Sequence, residues 1–157
     1  MNTIVRKLAP LLVATLFGSL VVASQAEAQG RRATAEVFIV LAKEQPGQVD
    51  PELADMPALR RPPFNSFRSL QVLSKPRLSL TEGQDSDLEL PNGRRLRIRL
   101  MQVTEDGRFH LKVSINRPDQ ADYLPLLQVV ASPGDPFFVG GQVYQDGTLI
   151  LGIRVRP

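Results

Sequence analysis

Few side chains in this sequence have the chemistry of a catalytic site. The chain has 157 residues, a single histidine (His110) and no cysteine. The missing cysteines exclude disulfides, thiolate nucleophiles and cysteine-ligated zinc or iron–sulfur sites. Hydrolysis by a histidine would need a serine and a carboxylate within hydrogen-bond reach. Ser114 lies four residues further along the strand predicted for His110, about 13 Å away, so the spacing favours a surface histidine.

Other sequence signatures of enzymes and metal sites are also missing. No G-x-S-x-G, S-x-x-K or H-E-x-x-H motif occurs. The acidic clusters match neither an EF-hand loop nor a calcium-binding nonapeptide repeat. These clusters are Glu82/Asp85/Asp87, Glu105/Asp106 and Asp119/Asp122. We therefore predict no catalytic residue, no cofactor and no metal ligand, and we rank a hydrolase last among the possible functions.

Basic side chains at alternate positions are the most visible charge feature. Arg95, Arg97 and Arg99 share one face of a predicted strand, and Lys112 lies on the next strand. One interpretation is a surface that binds anionic lipid or polysaccharide through Arg97, Arg99 and Lys112. The other is a solvated sheet face whose arginines pair with carboxylates of the preceding strand, at about 0.2–1 kcal/mol for each pair. The register predicted for the hairpin at 91–93 favours the second interpretation, with Arg99 and Lys112 as the least compensated cations.

An apolar stretch near the C-terminus is one candidate for a protein contact. Residues 123–130 carry no charge, and Pro125 indicates an edge strand or a bulge because proline lacks a backbone donor. An edge strand can accept a strand from a partner protein, with Tyr123, Leu124 and Leu126 as the predicted contacts. The alternative is a core hairpin that closes the fold.

The one long irregular segment spans residues 45–67 and is a second candidate for that contact. Its prolines limit any helix to a turn or two, which would begin at Asp50 and Pro51. Irregular segments of this length are often functional, and Phe64 and Phe67 are the predicted partner contacts. The alternative is a crossover between two sheets that buries both phenylalanines.

Strands must position all of these residues. Residues 34–42 are apolar on both faces and predict a buried central strand, while Gly140-Gly141 predicts a bulge or the close approach of another backbone. Short strands and turn signals alternate at the spacing typical of sandwiches and barrels. The predicted fold class is all-β, an antiparallel β-sandwich or flattened barrel of about nine strands, and a barrel around a small ligand stays open as an alternative. The predicted strands are 34–42, 67–74, 76–81, 86–90, 94–104, 108–116, 123–131, 137–143 and 148–156.

Two hairpins allow a register to be predicted. A three-residue loop at 91–93 places Asp87 opposite Arg97 and Glu89 opposite Arg95. This register supplies carboxylates to two of the three arginines.

The second hairpin has a two-residue turn signal at Asp106-Gly107, which would place Leu100 opposite Val113. Its strands then have an apolar inward face and a charged outward face, as expected for a sheet with one solvated side. The residues predicted to face outward are Arg97, Arg99, Met101, Val103, His110, Lys112, Ser114 and Asn116.

The first 28 residues have the pattern of a secretory signal peptide. Two basic residues precede the apolar stretch 8–22, and Ala26-Glu27-Ala28 supplies the small residues that signal peptidase reads. We expect cleavage after Ala28, periplasmic or extracellular residence, and no transmembrane segment after processing. Residues 29–157 would then form one β-rich domain. An uncleaved N-terminal anchor is the alternative.

The charge balance bears on the choice of partner. The formal net charge is +3, and without residues 1–28 the chain keeps 17 basic and 15 acidic side chains. Nucleic-acid binding normally needs a concentrated positive surface, so we predict no such partner. The predicted function is an exported, non-enzymatic binding or structural module of the cell envelope, which contacts a protein through a strand edge or the 45–67 segment.

Overall fold

A computed structural model describes residues 30–157, and the predicted signal peptide at 1–28 lies outside the described residues. All nine predicted strands are present, and every bound lies within two residues of the prediction. The strands are β1 (Arg32–Lys43), β2 (Ser69–Ser74), β3 (Arg77–Thr81), β4 (Asp85–Glu89), β5 (Arg95–Val103), β6 (Phe109–Asn116), β7 (Tyr123–Ala131), β8 (Phe137–Tyr144) and β9 (Gly147–Arg156). Among residues 30–157, no helix is long and apolar enough to cross a membrane.

The strands form two antiparallel sheets. One sheet has the order β2-β1-β9-β8, with β3 also paired to β1, and the other has the order β4-β5-β6-β7. β2 pairs with the second half of β1 and β3 with the first half, so the two behave as one strand interrupted at Lys75 and Pro76. The Val37 N–H donates to the Pro76 carbonyl across the interruption (2.9 Å). The predicted all-β class is confirmed, and the two sheets are consistent with a sandwich.

The main core lies between the inward faces of the two sheets. Alternate residues of each central strand supply it, because successive side chains in a strand point to opposite faces. Its buried members on the central strands are Ala33, Ala35, Val37 and Ile39 of β1, Leu96, Ile98 and Leu100 of β5, Phe109, Leu111, Val113 and Ile115 of β6, and Leu149, Leu151, Ile153 and Val155 of β9.

A second core lies on the other face of the five-stranded sheet. Phe38, Val40, Ala42, Leu70 and Ile150 are buried there under Leu53, Met56 and Leu59 of the 45–67 segment. This arrangement explains why β1 is apolar on both faces, as its sequence predicted. The segment joins β1 to β2, which are neighbours in one sheet, so the alternative of a crossover between two sheets is wrong.

Short helical turns shape the 45–67 segment. Helix α1 (Pro51–Ala54) begins as predicted, since the Asp50 side chain accepts a hydrogen bond from the Glu52 N–H (3.1 Å). Two 3-10 turns follow, at Pro57–Arg60 and Phe64–Ser66.

The first predicted hairpin register is confirmed, with Asp87 opposite Arg97 and Glu89 opposite Arg95. The loop contains three residues, as expected. The Leu90 N–H donates to the Arg94 carbonyl (2.7 Å). The left-handed position, with φ of 78°, belongs to Gly93.

The second predicted register is wrong. The Thr104 N–H donates to the Arg108 carbonyl (2.9 Å), so the loop has three residues, and Leu100 lies opposite Leu111. The Thr104 hydroxyl accepts from the Arg108 N–H (3.0 Å) and bonds the Asp106 carboxylate, which stabilises the wider loop. A register shift around Met101 follows, and as a result Val103 packs against the main core instead of facing outward.

The glycine pair in β8 marks a bulge, as predicted. The pairing of β8 with β9 shifts between Val139 and Gln142, and Gly141 has φ of 106°. A side chain at Gly140 would meet the Phe64 ring at 3.0 Å. The predicted bulge is confirmed, while the close neighbours of Gly140 are side chains and not another backbone.

The second core can be tested with Leu53→Ala. Leu53 is 1% exposed, and removing such a side chain costs about 2–5 kcal/mol in the free energy of unfolding. Urea denaturation followed by circular dichroism measures this change. Leu73→Ala is the matched control, because Leu73 is 36% exposed and should lose less than about 1 kcal/mol. Equal losses for the two variants would contradict a stabilising role for the second core.

Candidate functional site

Ordered rows of side chains cross the outer face of the four-stranded sheet, which we call the charged face. The register places acids on β4 and arginines on β5. The residues on β6 and β7 are uncharged except for Lys112. The rows are Asp85–Arg99–Lys112–Gln128 and Asp87–Arg97–Ser114–Pro125, followed by the pairs Glu89–Arg95 and Asn116–Tyr123.

Arg97 is the centre of the charged face. Its Nε and Nη2 donate to the two Asp87 oxygens (2.7 and 2.8 Å), and its Nη1 lies 3.4 Å from Asp85 Oδ2. The guanidinium carbon is 3.9 Å from the centre of the Tyr123 ring, and the Tyr123 hydroxyl donates to Asp87 (3.2 Å). A two-point pair stacked on an aromatic ring fixes the guanidinium in one orientation.

The same contacts change the acidity of Asp87. The hydrogen bonds from Arg97 lower the pKa of the Asp87 carboxyl below its ordinary 3.8, partial burial opposes this effect, and the positive charge of Arg97 and the Tyr123 hydroxyl add to the lowering. Asp87 is therefore ionised at neutral pH and holds Arg97 in place.

Arg99 has a counterion, which corrects the sequence prediction. Its Nε donates to Asp85 Oδ1 (2.6 Å). The prediction missed this pair because β4 begins at Asp85, one residue before the predicted start. Lys112 makes no ion pair among residues 30–157, in agreement with its predicted lack of compensation.

Two adjoining hollows lie on the charged face. The first has a volume of about 170 Å³, and its lining is Asp85, Arg97, Arg99, Lys112, Ser114, Tyr123 and Pro125. The second has a volume of about 510 Å³ and shares Arg97 and Tyr123 with the first, while Arg95, Asn116, Asp119 and Gln120 form part of its wall. Together the hollows form a polar groove with Tyr123 at its centre.

Strand β7 forms one edge of the four-stranded sheet. Its pairing with β6 shifts between Val113 and Ser114, opposite Leu127 and Pro125, so the proline marks both an edge and a bulge, as predicted. Leu124 is 37% exposed and Val130 is 46% exposed. The predicted contact by the Leu126 side chain lies outside the described residues.

Phe64 and Phe67 lie on the opposite side of the molecule, over the outer face of the five-stranded sheet. Both are half-buried against the second core. They border an apolar hollow of about 300 Å³ beside Gly140 and Ile150. The structure therefore brings Arg97, Arg99, Lys112 and Tyr123 together on one face and separates them from the two phenylalanines.

His110 lies at the far end of the charged face, opposite Gln102 on one side and Val130 on the other. Ser114 belongs to a different row. Over the described range, no group of three or more metal-ligating side chains is close enough to hold an ion. Asp85 and Asp87, which belong to a candidate cluster from the sequence, are engaged by arginines instead.

Sequence reasoning missed the Asp85–Arg99 pair and a contact between the sheets. The first hairpin register, extended by two residues, would have found Asp85. The Asn92 amide in that hairpin loop donates to Gln142 of β8 (2.8 Å). No local pattern could have indicated this contact, since it joins two different sheets.

No protein-family model, curated protein or solved structure gives a significant match to the chain. No family is therefore established by similarity. The function must be inferred from the charged face and the β7 edge.

The carboxylate pairs can be tested with Asp87→Asn. The pKa of Asp87 in the folded state lies below its ordinary 3.8, so the ionised carboxylate stabilises the fold at pH values above 3.8. This stability is lost as the pH falls from 3.8 through the lower folded-state pKa. Asp87→Asn should cost about 0.5–1 kcal/mol at pH 7, a typical value for a partly exposed pair. The difference from the wild-type chain should shrink below pH 4.

Urea unfolding from pH 7 to pH 3 measures this difference. Glu89→Gln is the matched control, because Glu89 lies opposite Arg95 yet makes no ion pair in the part of the chain that the structure describes. If both substitutions had the same effect at pH 7, the Asp87–Arg97 pair would have no special role.

Proposed function

We propose that the chain is an exported, non-enzymatic binding module that takes an extended segment of a protein partner onto the β7 edge. One observation carries the proposal. β7 is a nine-residue edge strand without a charged side chain, whereas β4 at the opposite edge carries three carboxylates. Because an edge strand offers unpaired backbone groups, an uncharged edge is suited to main-chain pairing.

The other edges are better protected against such pairing. The edge formed by β2 and β3 is interrupted by Lys75 and Pro76. β8 lacks charge but contains the bulge at Gly140-Gly141. Charges, prolines and bulges are the features by which natural edges avoid unwanted pairing. β7 therefore differs from the other edges because residues 127–131 combine the absence of charge with an unbroken register.

The pairing site is best placed in that second half of β7. Pro125 and the bulge beside it interrupt the first half, while residues 127–131 pair with β6 in one unbroken register. The sequence prediction centred on Tyr123, Leu124 and Leu126, so the proposal moves the site towards Ala131. The partner segment would extend the four-stranded sheet by one strand.

The side chains of this half determine what kind of segment fits. Val129 packs against the main core, while Gln128 and Val130 are exposed. An added strand would have one face beside the core and the other beside these exposed residues. We expect a partner segment of four to six residues, alternately apolar and polar and without charge at its centre.

The 45–67 segment is a weaker candidate for the partner contact. Its apolar residues Leu53, Met56 and Leu59 are already buried in the second core. A structural role accounts for them without a partner.

Export is supported by the sequence pattern of residues 1–28. Expression of the full chain in a bacterial host should give a protein that begins at Gln29, as measured by mass spectrometry of the periplasmic and extracellular fractions. Substitution of Ala28 by a bulky residue such as Leu should block this cleavage, because signal peptidase reads small residues there. A chain recovered at full length from the cytoplasm would contradict export.

Photo-crosslinking and hydrogen exchange test the edge. A crosslinker at Gln128 should capture a partner segment, and the matching synthetic peptide should slow amide exchange only in residues 127–131.

Val130→Lys should weaken peptide binding at least tenfold, because an edge lysine disfavours pairing. Leu73→Lys, which also places a lysine at an exposed apolar position of a strand, is the control and should leave binding unchanged. Equal capture from Gln71, or peptide binding that survives Val130→Lys, would overturn the proposal.

A further inference from the structure

The first hollow of the charged face has three cationic side chains, Arg97, Arg99 and Lys112, and one carboxylate, Asp85, in its lining. Ser114, which is 7% exposed, and Pro125 are the small residues of its lining, between the longer side chains of Arg97, Arg99 and Lys112. Its volume of about 170 Å³ is well above the space of about 10–15 Å³ that one bound water needs. A carboxylate or sulfate group with its neighbouring atoms fits this space.

Two like charges meet at this hollow. Arg99 lies directly opposite Lys112 across β5 and β6, and like charges directly opposite one another destabilise a sheet. Asp85 accepts a hydrogen bond from Arg99 but lies beyond ion-pair distance of Lys112. An anion bound between Arg99 and Lys112 would remove this repulsion.

The donors of the hollow are divided into fixed and free groups. Arg97 is held by Asp85 and Asp87 through all three nitrogens, so it forms a rigid wall. Arg99 is held through Nε alone, and within residues 30–157 its two Nη atoms make no hydrogen bond. Those atoms and the Lys112 ammonium remain available to a ligand.

The second hollow indicates a ligand longer than a single anion. It continues past Tyr123 to Arg95 and Gln120. The Asn116 amide donates to the Gln120 carbonyl (3.0 Å) and so fixes the loop that carries Gln120. Arg95 makes no ion pair over the described range. Arg95 suits a second acidic group and Gln120 suits hydroxyl groups, and Asp119 in the same wall can accept a hydrogen bond from a sugar hydroxyl.

We propose that the groove binds an acidic oligosaccharide, with one carboxylate between Arg99 and Lys112 and its chain extending past Tyr123 towards Arg95 and Gln120. Charge and hydrogen bonding would dominate recognition, because the Arg97 guanidinium covers one face of the Tyr123 ring. The site lies on the sheet face and is independent of main-chain pairing at the β7 edge.

A sugar chain suits this face better than an anionic lipid surface does. Asp85, Asp87 and Glu89 share the face with the arginines and would be repelled by a continuous layer of negative headgroups. Discrete carboxylates on a flexible chain can occupy the cationic positions and avoid the acids.

Nuclear magnetic resonance titration with hexagalacturonate at low salt tests the proposal. Amide shifts should concentrate at residues 95–99, 112–114 and 120–123, and maltohexaose, a neutral hexasaccharide, should cause none. Lys112→Gln should weaken binding at least fivefold. Arg68→Gln is the matched control, since Arg68 is an exposed cation outside the charged face and its loss should change the Kd by less than twofold.

A second measurement separates loss of the site from loss of the fold. Because Lys112→Gln removes the like-charge pair, it should raise the Tm of the ligand-free protein by about 1–3 °C while it weakens binding. Val130→Lys, which blocks the β7 edge, should not weaken binding of the oligosaccharide. The two proposals can therefore fail separately.

Three results would overturn the acidic-oligosaccharide site. The first is binding that Lys112→Gln leaves unchanged. The second is an equal loss of affinity in Arg68→Gln, which would indicate attraction by net charge alone. The third is binding to phosphatidylglycerol vesicles without binding to hexagalacturonate, which would identify a lipid surface instead.

Discussion

The structure depends on covering both faces of β1. Val37 and Ile39 face the main core, while Phe38 and Val40 face the second core. Burying a side chain of this size contributes about 1.5–3 kcal/mol, and with no cysteine in the sequence no disulfide adds to that stability. The four-stranded sheet covers one face and the 45–67 segment covers the other, so the long irregular segment is part of the hydrophobic structure.

This division leaves one broad surface without a structural cover. The outer face of the four-stranded sheet is polar because β4, β5 and β6 alternate apolar and charged residues, and only the apolar half is buried. Asp85 and Asp87 of β4 orient Arg97 and Arg99 of β5. Lys112 lies one strand further, beyond the carboxylates, and this position concentrates positive charge at the first hollow.

The two proposed binding surfaces meet in β7. Tyr123 and Pro125 line the groove on the sheet face, while residues 127–131 form the regular part of the edge. The bulge beside Pro125 ends the regular edge and lies between the two proposed sites along one strand. Under the two proposals, recognition at the edge would depend on backbone geometry, and recognition in the groove would depend on charge.

The sequence by itself determined the class, the nine strands and the first hairpin register, because alternation and turn residues act over a few neighbouring positions. The Asp87–Arg97 pair followed from that local register. The predicted register of the second hairpin was wrong for two reasons. The Thr104 hydroxyl stabilises a three-residue loop, and a bulge at Met101 shifts the pairing once more. Only the tertiary structure decided that Tyr123 lies under Arg97 and that Phe64 lies on the side of the molecule opposite the charged face. These placements join strands far apart in the chain, and they are set by sheet order and packing, for which no short-range pattern exists.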